Sequence, residues 1–300
     1  RGFRFEWQID AITPAGTITG SIQTLETIFA PSQTFRGRDI PVAGRTEVAF
    51  IDTSGEIALI KQLTENGVGQ ESENLTLEPS TGTARGREAA LAGGKLFVNS
   101  GSGVFIYERN SEEIMESAGK VPLPNGADGS GFGFHLASGG DLLFATSVES
   151  GTGLPRVEVF RTRPDVIHTA SITLPLNPGS RIPFPREIQL SASGDTIAVV
   201  TPADTDSNQS PSSLFVFNRD DRSLQWSLTN QFDYPSLQSS QSPTVSTDGK
   251  YLAMTYRARA GSSSLIFKRL ASGTWEEQSG IPPWSTSFPV IKNGVLVTQG

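Results

Sequence analysis

His135 and His168 are the only histidines in this 300-residue chain and its first candidates for acid–base chemistry. A catalytic histidine needs a nucleophile on one ring nitrogen and an orienting carboxylate on the other. No serine of the sequence stands in the strand–turn–helix setting of a nucleophile elbow. We therefore expect both histidines to be packed or surface residues.

Acidic residues offer two further chemistries. One group, Asp204, Asp206 and Asn208, has the alternating spacing of ligands in a calcium-binding loop. The sequence lacks the sharp glycine turn and the later bidentate glutamate of such a loop. We therefore expect a solvated loop here. A second group could supply the paired carboxyls of a glycosidase. It lies in predicted linkers and outer strands and should face solvent: Glu71, Glu73, Glu78, Glu112, Glu113 and Glu116. We predict no catalytic, metal-binding or cofactor-binding residue and no cofactor.

Four tryptophans are candidates for packing or binding. Trp226 and Trp275 fall on predicted outer strands, where an aromatic ring can cover the edge between neighbouring units. Trp7 lies in an N-terminal strand. Trp284 follows two prolines in a stiff connector, where it can pack, stack on a sugar or anchor a partner. Both interpretations remain open for Trp284.

Six regularly spaced glycines predict the strands and turns that would position these residues. Successive members are separated by 45 to 55 residues, and a period near 50 is typical of circular repeat folds. They are Gly44, Gly94, Gly140, Gly194, Gly249 and Gly294. Strands are predicted before and after each of them, so each glycine should lie in a hairpin turn that needs positive φ.

A third and a fourth strand complete each unit. The third strand is alternating and aromatic, as at residues 214–217, and a basic residue follows it at Arg161, Arg219 and Arg269. The fourth strand is more polar. Four antiparallel strands in about 50 residues indicate a propeller blade.

The fold predicted is therefore an all-β propeller, with six four-stranded blades in one domain over residues 1–300. The sixth blade would be closed by the N- and C-terminal strands, which removes an open sheet edge. The approximate blades are 36–80, 86–123, 131–176, 184–230, 240–280, and 286–300 with 1–30. Seven blades, an open sandwich or two stacked β domains are the alternatives.

Local motifs also point to propellers. Residues 131–147 resemble an FG-GAP-type repeat, with Phe-Gly before a strand and then a Gly-Asp turn. Residues 246–253 resemble the Ser-x-Asp-Gly-x-x-Leu-Ala hairpin of WD-repeat-like and TolB-like propellers. Residues 273–275 resemble the Gly-x-Trp motif that often ends FG-GAP-type units. The calcium loop of many FG-GAP repeats is missing. The resemblance implies the fold, and such families include adhesion modules, scaffolds and enzyme-associated domains.

Composition excludes several function classes. The net charge is −7 with no basic stripe, so nucleic acid is not an expected partner. No apolar run reaches the length of a membrane span. The chain has no cysteine, which excludes disulfides and thiolate chemistry. Few lysines beside many Ser, Thr and Gly residues suggest an exported, extracellular or cell-surface protein, and Asn74 begins a glycosylation sequon.

We expect a non-catalytic scaffold that binds protein partners, as a subunit of an assembly or a surface protein. Its contacts would come from three predicted long loops at residues 64–73, 147–156 and 201–213, because loops on a rigid scaffold commonly carry binding. A lectin-like propeller that binds a glycan is the alternative, and a hydrolase comes third. The individual binding residues are unknown at this stage.

Overall fold

The computed structural model describes residues 3–13, 16–27, 40–43, 47–51, 57–64, 67–78, 88–176, 187–202, 212–234, 243–258, 261–278, 290–292 and 295–297. Within these residues, regular structure consists of β-strands with 3-10 conformation at Gly129–Gly131 and at Glu187. The all-β prediction is confirmed.

The strands form antiparallel sheets in chain order. An N-terminal hairpin is made by β1 (Phe3–Thr13) and β2 (Gly16–Thr27). Blade 1 comprises β3 (Ile40–Ala43), β4 (Glu47–Ile51), β5 (Ile57–Thr64) and β6 (Gly67–Thr76). Blade 2 comprises β7 (Ala89–Ala92), β8 (Lys95–Asn99), β9 (Val104–Arg109) and β10 (Met115–Lys120).

The remaining sheets continue the pattern. Blade 3 comprises β11 (Ala127–Asp128), β12 (Leu136–Gly139), β13 (Leu142–Glu149), β14 (Pro155–Arg161) and β15 (Ile167–Thr173). Blade 4 comprises β16 (Gln189–Ser193), β17 (Thr196–Thr201), β18 (Ser212–Arg219) and β19 (Trp226–Tyr234). Blade 5 comprises β20 (Thr244–Thr247), β21 (Tyr251–Ala258), β22 (Gly261–Arg269) and β23 (Trp275–Glu277). A last hairpin joins β24 (Val290–Lys292) to β25 (Val295–Val297).

In blade 3 the four regular strands are β12 to β15, and β11 is an addition at its edge. Contacts between the first regular strands of the blades arrange the sheets around a common centre. The strands β3, β7, β12, β16, β20 and β24 touch one another in that order, so each blade presents its first strand inward. Strand β1 lies beside β25, which brings the two terminal hairpins together as the halves of the predicted sixth blade. The chain is a β-propeller, as predicted. Its assignment to one domain with the listed blade limits remains a prediction.

The periodic glycines have the backbone conformation that the hairpin turns require. Their φ angles are positive at Gly94 (78°), Gly140 (65°), Gly194 (58°) and Gly249 (87°). Residues with a Cβ rarely adopt this conformation, which explains why glycine recurs there. Gly44 and Gly294 lie outside the described residues.

The strands β8, β13 and β17, which follow the glycine turns of blades 2, 3 and 4, each contribute to two cores at once. Ile197 and Val199 of β17 pack in a cluster with blade 3, whereas Ala198 and Val200 pack in a cluster with blade 5. Equivalent clusters join blade 1 to blade 2 and blade 2 to blade 3. Because both faces are buried, the runs after the glycines are apolar at successive positions and do not alternate with polar residues.

One predicted loop is mostly strand, a second is half strand, and one strand was not predicted. Residues 67–73 belong to β6, and in the range 147–156 only residues 150–154 lie between β13 and β14. These hairpins were mistaken for loops because their outer residues are polar. Residues 203–211 of the third predicted loop lie outside the described residues. The short strand β11 pairs with the end of β13 at Ala127 and Glu149, beyond the reach of the four-residue β12.

Candidate functional site

Exposed aliphatic side chains recur where the third strand of a blade turns into the fourth. Blades 2 to 5 each carry one in or directly after this turn, and they are Ile114, Ile167, Leu224 and Leu270. An arginine ends the third strand in all four blades: Arg109, Arg161, Arg219 and Arg269. Turns at the same position of successive blades lie on the same side of a propeller. These side chains therefore follow one rim, which we call the outer-turn rim.

The blade 4 turn is fixed by the carboxylate of Asp220. Its Oδ1 accepts hydrogen bonds from the backbone N–H groups of Arg222 at 3.0 Å and Ser223 at 2.6 Å. The Asp220 N–H donates to the carbonyl of Gln225, and the Leu224 N–H donates to the carbonyl of Asp220. Hydrogen bonds from the Ser223 backbone and side chain, and then from the Arg222 backbone, lower the pKa of Asp220 below its usual 3.8. This carboxylate is therefore ionised at neutral pH.

Related turns, each one residue shorter, close blades 2 and 5, where the Asn110 N–H donates to the Ile114 carbonyl and the Leu270 N–H to the Thr274 carbonyl. Asn110 replaces the aspartate in blade 2, and its Oδ1 accepts from the N–H groups of Glu112 and Ile114. One residue of each turn has a left-handed backbone: Glu113 (φ 62°), Leu224 (φ 58°) and Gly273 (φ 86°). Glycine is the usual choice there. Leucine in this conformation costs about 1–2 kcal/mol because its Cβ approaches the following carbonyl oxygen.

Leu224 gains little packing in return, because 60% of it is exposed. Two other exposed leucines face elsewhere. Leu228, 41% exposed, pairs with Phe217 on the blade 3 side of blade 4, and Leu270, 40% exposed, alternates with Arg269, which faces blade 4. We call the neighbouring turns at residues 220–225 and 270–274, with the exposed Leu224, the blade 4–5 patch. Residues held in disfavoured backbone conformations cluster at functional sites, so the patch is the leading candidate for binding.

The two blades that carry the patch are locked together next to it. Asn218 donates from Nδ2 to the carbonyl of Gly273 at 2.9 Å. Arg269 donates from Nη1 to both carboxylate oxygens of Asp195, at 3.0 and 3.2 Å. These bonds join β18 to the blade 5 turn, and β22 to the first hairpin of blade 4. The patch is thereby preformed, which reduces the entropy lost on binding.

The tryptophans of the fourth strands pack between blades, as predicted. Trp226 contacts Phe144 of blade 3 edge-on, with ring centroids 5.6 Å apart. Trp275 is 4% exposed within the cluster between blades 4 and 5. The side chain of Trp7, and Trp284 as a whole, lie outside the described residues.

A buried carboxylate organises a second polar group in blade 3. Glu158 is fully buried, and its carboxylate accepts from Ser147 Oγ at 2.6 Å and from Ser171 Oγ at 2.5 Å. His168 Nε2 lies 2.9 Å from Glu158 Oε2 and 3.2 Å from Ser171 Oγ. In a catalytic triad the serine and the carboxylate bind opposite ring nitrogens, whereas here both face Nε2. The arrangement holds strands together and does not activate Ser171.

His135 lies in a different network, before the first strand of blade 3. Its Nδ1 is 3.2 Å from Glu88 Oε1, and its backbone N–H donates to Thr146 Oγ1 at 2.9 Å. The neighbouring Phe134 is exposed. This contact connects blade 2 to blade 3, and the structure does not bring His135 into the Glu158 group.

The predicted solvent-facing glutamates behave differently from one another. Glu112, Glu113 and Glu116 are exposed as expected. The expectation that Glu73 faces solvent was wrong. Its carboxylate accepts hydrogen bonds from Arg109 Nη1 at 2.8 Å and from the Met115 N–H at 2.5 Å. It therefore ties blade 1 to blade 2. The packing of neighbouring blades creates this contact, which the sequence did not reveal.

Other predicted residues can be placed briefly. Glu78 is half-buried, and Asn74 is exposed on β6. The side chain of Glu71, together with Asp204, Asp206 and Asn208, lies outside the described residues. Among the residues that the structure describes, no three His, Asp or Glu side chains are grouped closely enough to hold a metal ion. The same residues include no helix with the length and apolar character needed to cross a bilayer.

Comparison with solved structures agrees with the propeller fold. A candidate 6-phosphogluconolactonase from Bacteroides fragilis matches with a TM-score of 0.54 and 13% sequence identity, and the match covers 94% of this chain and 78% of the other protein. A protein from Lactobacillus plantarum has a TM-score of 0.52 and 12% identity, covering 96% and 84%. The WD40 domain of SCAP from fission yeast has a TM-score of 0.46 and 10% identity, covering 90% and 73%.

These similarities concern the fold alone, because sequence identity is so low. No protein-family model and no curated protein match the sequence. The propeller part of the resemblance inferred from the motifs is confirmed. Its FG-GAP part remains a prediction.

Proposed function

We propose that this propeller is a non-catalytic scaffold and that it binds a protein partner through the blade 4–5 patch. One observation carries the proposal, namely that Leu224 has a disfavoured backbone conformation and yet points a large apolar side chain into solvent. Among the described residues, that side chain belongs to none of the buried apolar clusters. A partner that buries it would explain why a leucine is kept where glycine or asparagine fits better.

The surroundings of Leu224 support a protein partner. The exposed Leu224 lies in a polar turn next to the blade 5 turn, to which Asn218 of blade 4 is bonded, and an apolar side chain surrounded by polar groups can anchor a partner. Two fixed blades also present the patch with little reorganisation. Binding energy in protein interfaces concentrates in a few such anchors.

The alternatives from the sequence remain predictions. No pair of exposed aromatic side chains lines the described blades as a lectin-like sugar site would require, and the Glu158 group lacks the geometry of a hydrolase triad. We retain the exported or cell-surface location as part of the proposal, because a scaffold of this kind suits that setting.

The proposal is tested by comparing partners of matched variants. The tagged full chain would be used for quantitative pull-down from its native source, beside the patch variant Leu224→Asn and a control at an exposed turn residue of another blade, Ile167→Ser. We expect at least one stoichiometric protein to bind the wild type and the control but to fall at least tenfold with the patch variant. Circular dichroism would verify that all three are folded. An unchanged partner set across the three proteins would overturn the proposal.

A further inference from the structure

We propose that Asn74, on the outer strand of blade 1, carries an N-linked glycan. The inference rests on the exported or cell-surface location that is part of the proposed function, because this modification belongs to secreted proteins. It comes from the way in which β6 presents the sequon Asn74-Leu75-Thr76.

Strand β6 turns the two residues that define the sequon to the same side. Successive residues of a strand point to opposite faces of the sheet. Leu75 is buried in the cluster between blades 1 and 2, and Glu73 is bound to Arg109 of blade 2. Asn74 and Thr76 therefore belong to the other face, and both are exposed. The acceptor amide and the hydroxyl of the sequon are thus accessible together.

The position of β6 in its sheet suits a bulky group. The strand order in blade 1 is β3-β4-β5-β6, and among the strands that the structure describes none lies beyond β6 in this sheet. On its inner side Asn74 pairs with Leu59 of β5. A hydrophilic oligosaccharide attached here covers the outer edge of the blade, and exposed sheet edges are commonly protected against pairing with other chains.

The modification joins the side-chain amide of Asn74 to an oligosaccharide supplied on a lipid diphosphate. A bond forms between Asn74 Nδ2 and the anomeric carbon of the first sugar. The bond from that carbon to the diphosphate oxygen breaks, so that the lipid diphosphate leaves and the amide gives up one proton. The glycan thereby replaces one amide hydrogen and consumes no other group of the protein.

The glycan lies away from the turns that join third and fourth strands. In blade 1 this turn follows the pairing of Thr64 with Gly67. Asn74 pairs instead with Leu59, five residues before Thr64, which is about 16 Å along an extended strand. The glycan is therefore near the opposite end of its hairpin and on a different blade from Leu224. A partner on the blade 4–5 patch and the glycan can be held at the same time.

The test examines the full chain purified from its native source. Peptide N-glycosidase would be applied in heavy-oxygen water, and mass spectrometry would compare the intact chain and its peptides before and after treatment. We expect the intact mass to fall by one oligosaccharide and position 74 to become labelled aspartate in most copies. Asn74→Gln and Thr76→Ala should each abolish this mass loss. Asn208→Gln, in the triplet that Pro211 follows, is the matched control and should leave it unchanged.

An unmodified Asn74 in the native chain, or a mass loss that persists in Asn74→Gln, would overturn the inference. Pull-down with the same variant separates this result from the proposed function. Asn74→Gln should retain the Leu224-dependent partner within twofold of wild type, and loss of that partner would contradict the separation of glycan and patch. An unmodified Asn74 in a chain that keeps this partner would remove the glycan and leave the proposed function standing.

Discussion

Asn230 binds the backbone of Trp275 through both ends of its side-chain amide. Its Oδ1 accepts from the Trp275 N–H at 2.8 Å, and its Nδ2 donates to the Trp275 carbonyl at 3.3 Å. The Asn230 side chain of blade 4 thus hydrogen-bonds to both backbone polar groups of Trp275, as a paired strand would. This pair aligns the two fourth strands beside the proposed binding patch.

Asn230→Ala removes both bonds and should lower the free energy of unfolding by about 1–3 kcal/mol, since two buried backbone groups lose their partner. The midpoint of urea unfolding measures the effect. Ser227→Ala, at an exposed position of the same strand, is the matched control and should change stability by less than about 0.5 kcal/mol. Equal midpoints for both variants would contradict the role of Asn230.

Gly139 has no room for a side chain. A Cβ there would lie 2.4 Å from the backbone nitrogen of Gly194, where the hairpins of blades 3 and 4 meet. Gly139→Ala should therefore destabilise the protein by about 1–3 kcal/mol through overpacking. Gly129→Ala places its new methyl at an ordinary 3.6 Å from Leu123 and should be tolerated when both are compared by thermal unfolding. A Gly139→Ala protein as stable as wild type would show that the two hairpins can move apart.

Glu158 is the buried carboxylate whose loss should be most damaging. Arg156, itself nearly buried, lies with its Nε 3.3 Å from Glu158 Oε1 and would lose its opposite charge in Glu158→Gln. Removing one partner of a buried ion pair typically costs about 3–5 kcal/mol. Urea unfolding would compare this variant with Glu112→Gln, an exposed position for which we expect almost no change. A loss below about 1 kcal/mol would mean that the two serines and His168 satisfy a neutral amide equally well.

The turn that carries Leu224 should respond to acid in a defined way. A carboxylate whose pKa is lowered by folding adds stability that is complete above its unfolded pKa and disappears as the pH falls through its folded pKa. For Asp220 the reference value is 3.8, so the stability gap between wild type and Asp220→Asn should be constant near neutrality and close below pH 3.8. Urea unfolding at a series of pH values from 7 to 2.5 would measure it. If the stability difference between wild type and Asp220→Asn grew as the pH fell, the Asp220 carboxylate would not stabilise the folded turn.

Leu224 itself should be a site where stability and binding oppose each other. Asparagine tolerates the left-handed backbone, so Leu224→Asn should stabilise the protein by up to about 1 kcal/mol while weakening partner binding. Leu228→Asn, on the extended backbone of β19, should give no such gain because asparagine is unfavourable in strands. Unfolding midpoints of the two variants decide the matter. A loss of stability at position 224 would show that Leu224 packs on the protein.

The blades were predictable because each depends on local signals. A glycine turn such as that at Gly194, followed by a run such as residues 197–200, marks a hairpin buried on both faces. The strand β11 escaped prediction because two residues are too few to show a strand pattern. The hairpins at residues 64–73 and 147–156 were mistaken for loops because polar outer strands resemble loops in composition.

The candidate site was less accessible from sequence. Leu224 is recognisable only when the turns of several blades are superposed, since its left-handed backbone follows from bonds to Asp220 and has no signature of its own. Aligning the turns on the first residues of the fourth strands, Met115, Trp226 and Trp275, places Leu224 opposite Glu113 and Gly273, which is a usable signal. The Glu73–Arg109 contact joins residues 36 positions apart and arises only when blades pack.

The second strands have a consequence for how the ring comes apart. Because β8, β13 and β17 each bury one face against the preceding blade and the other against the following one, opening any blade exposes half of both adjoining clusters. An opening confined to one blade therefore exposes apolar surface in two clusters and costs the free energy of both. Amide hydrogens of these three strands should exchange with one common free energy of opening, that of cooperative unfolding of blades 2 to 4, while those of the outer fourth strands exchange by smaller fluctuations.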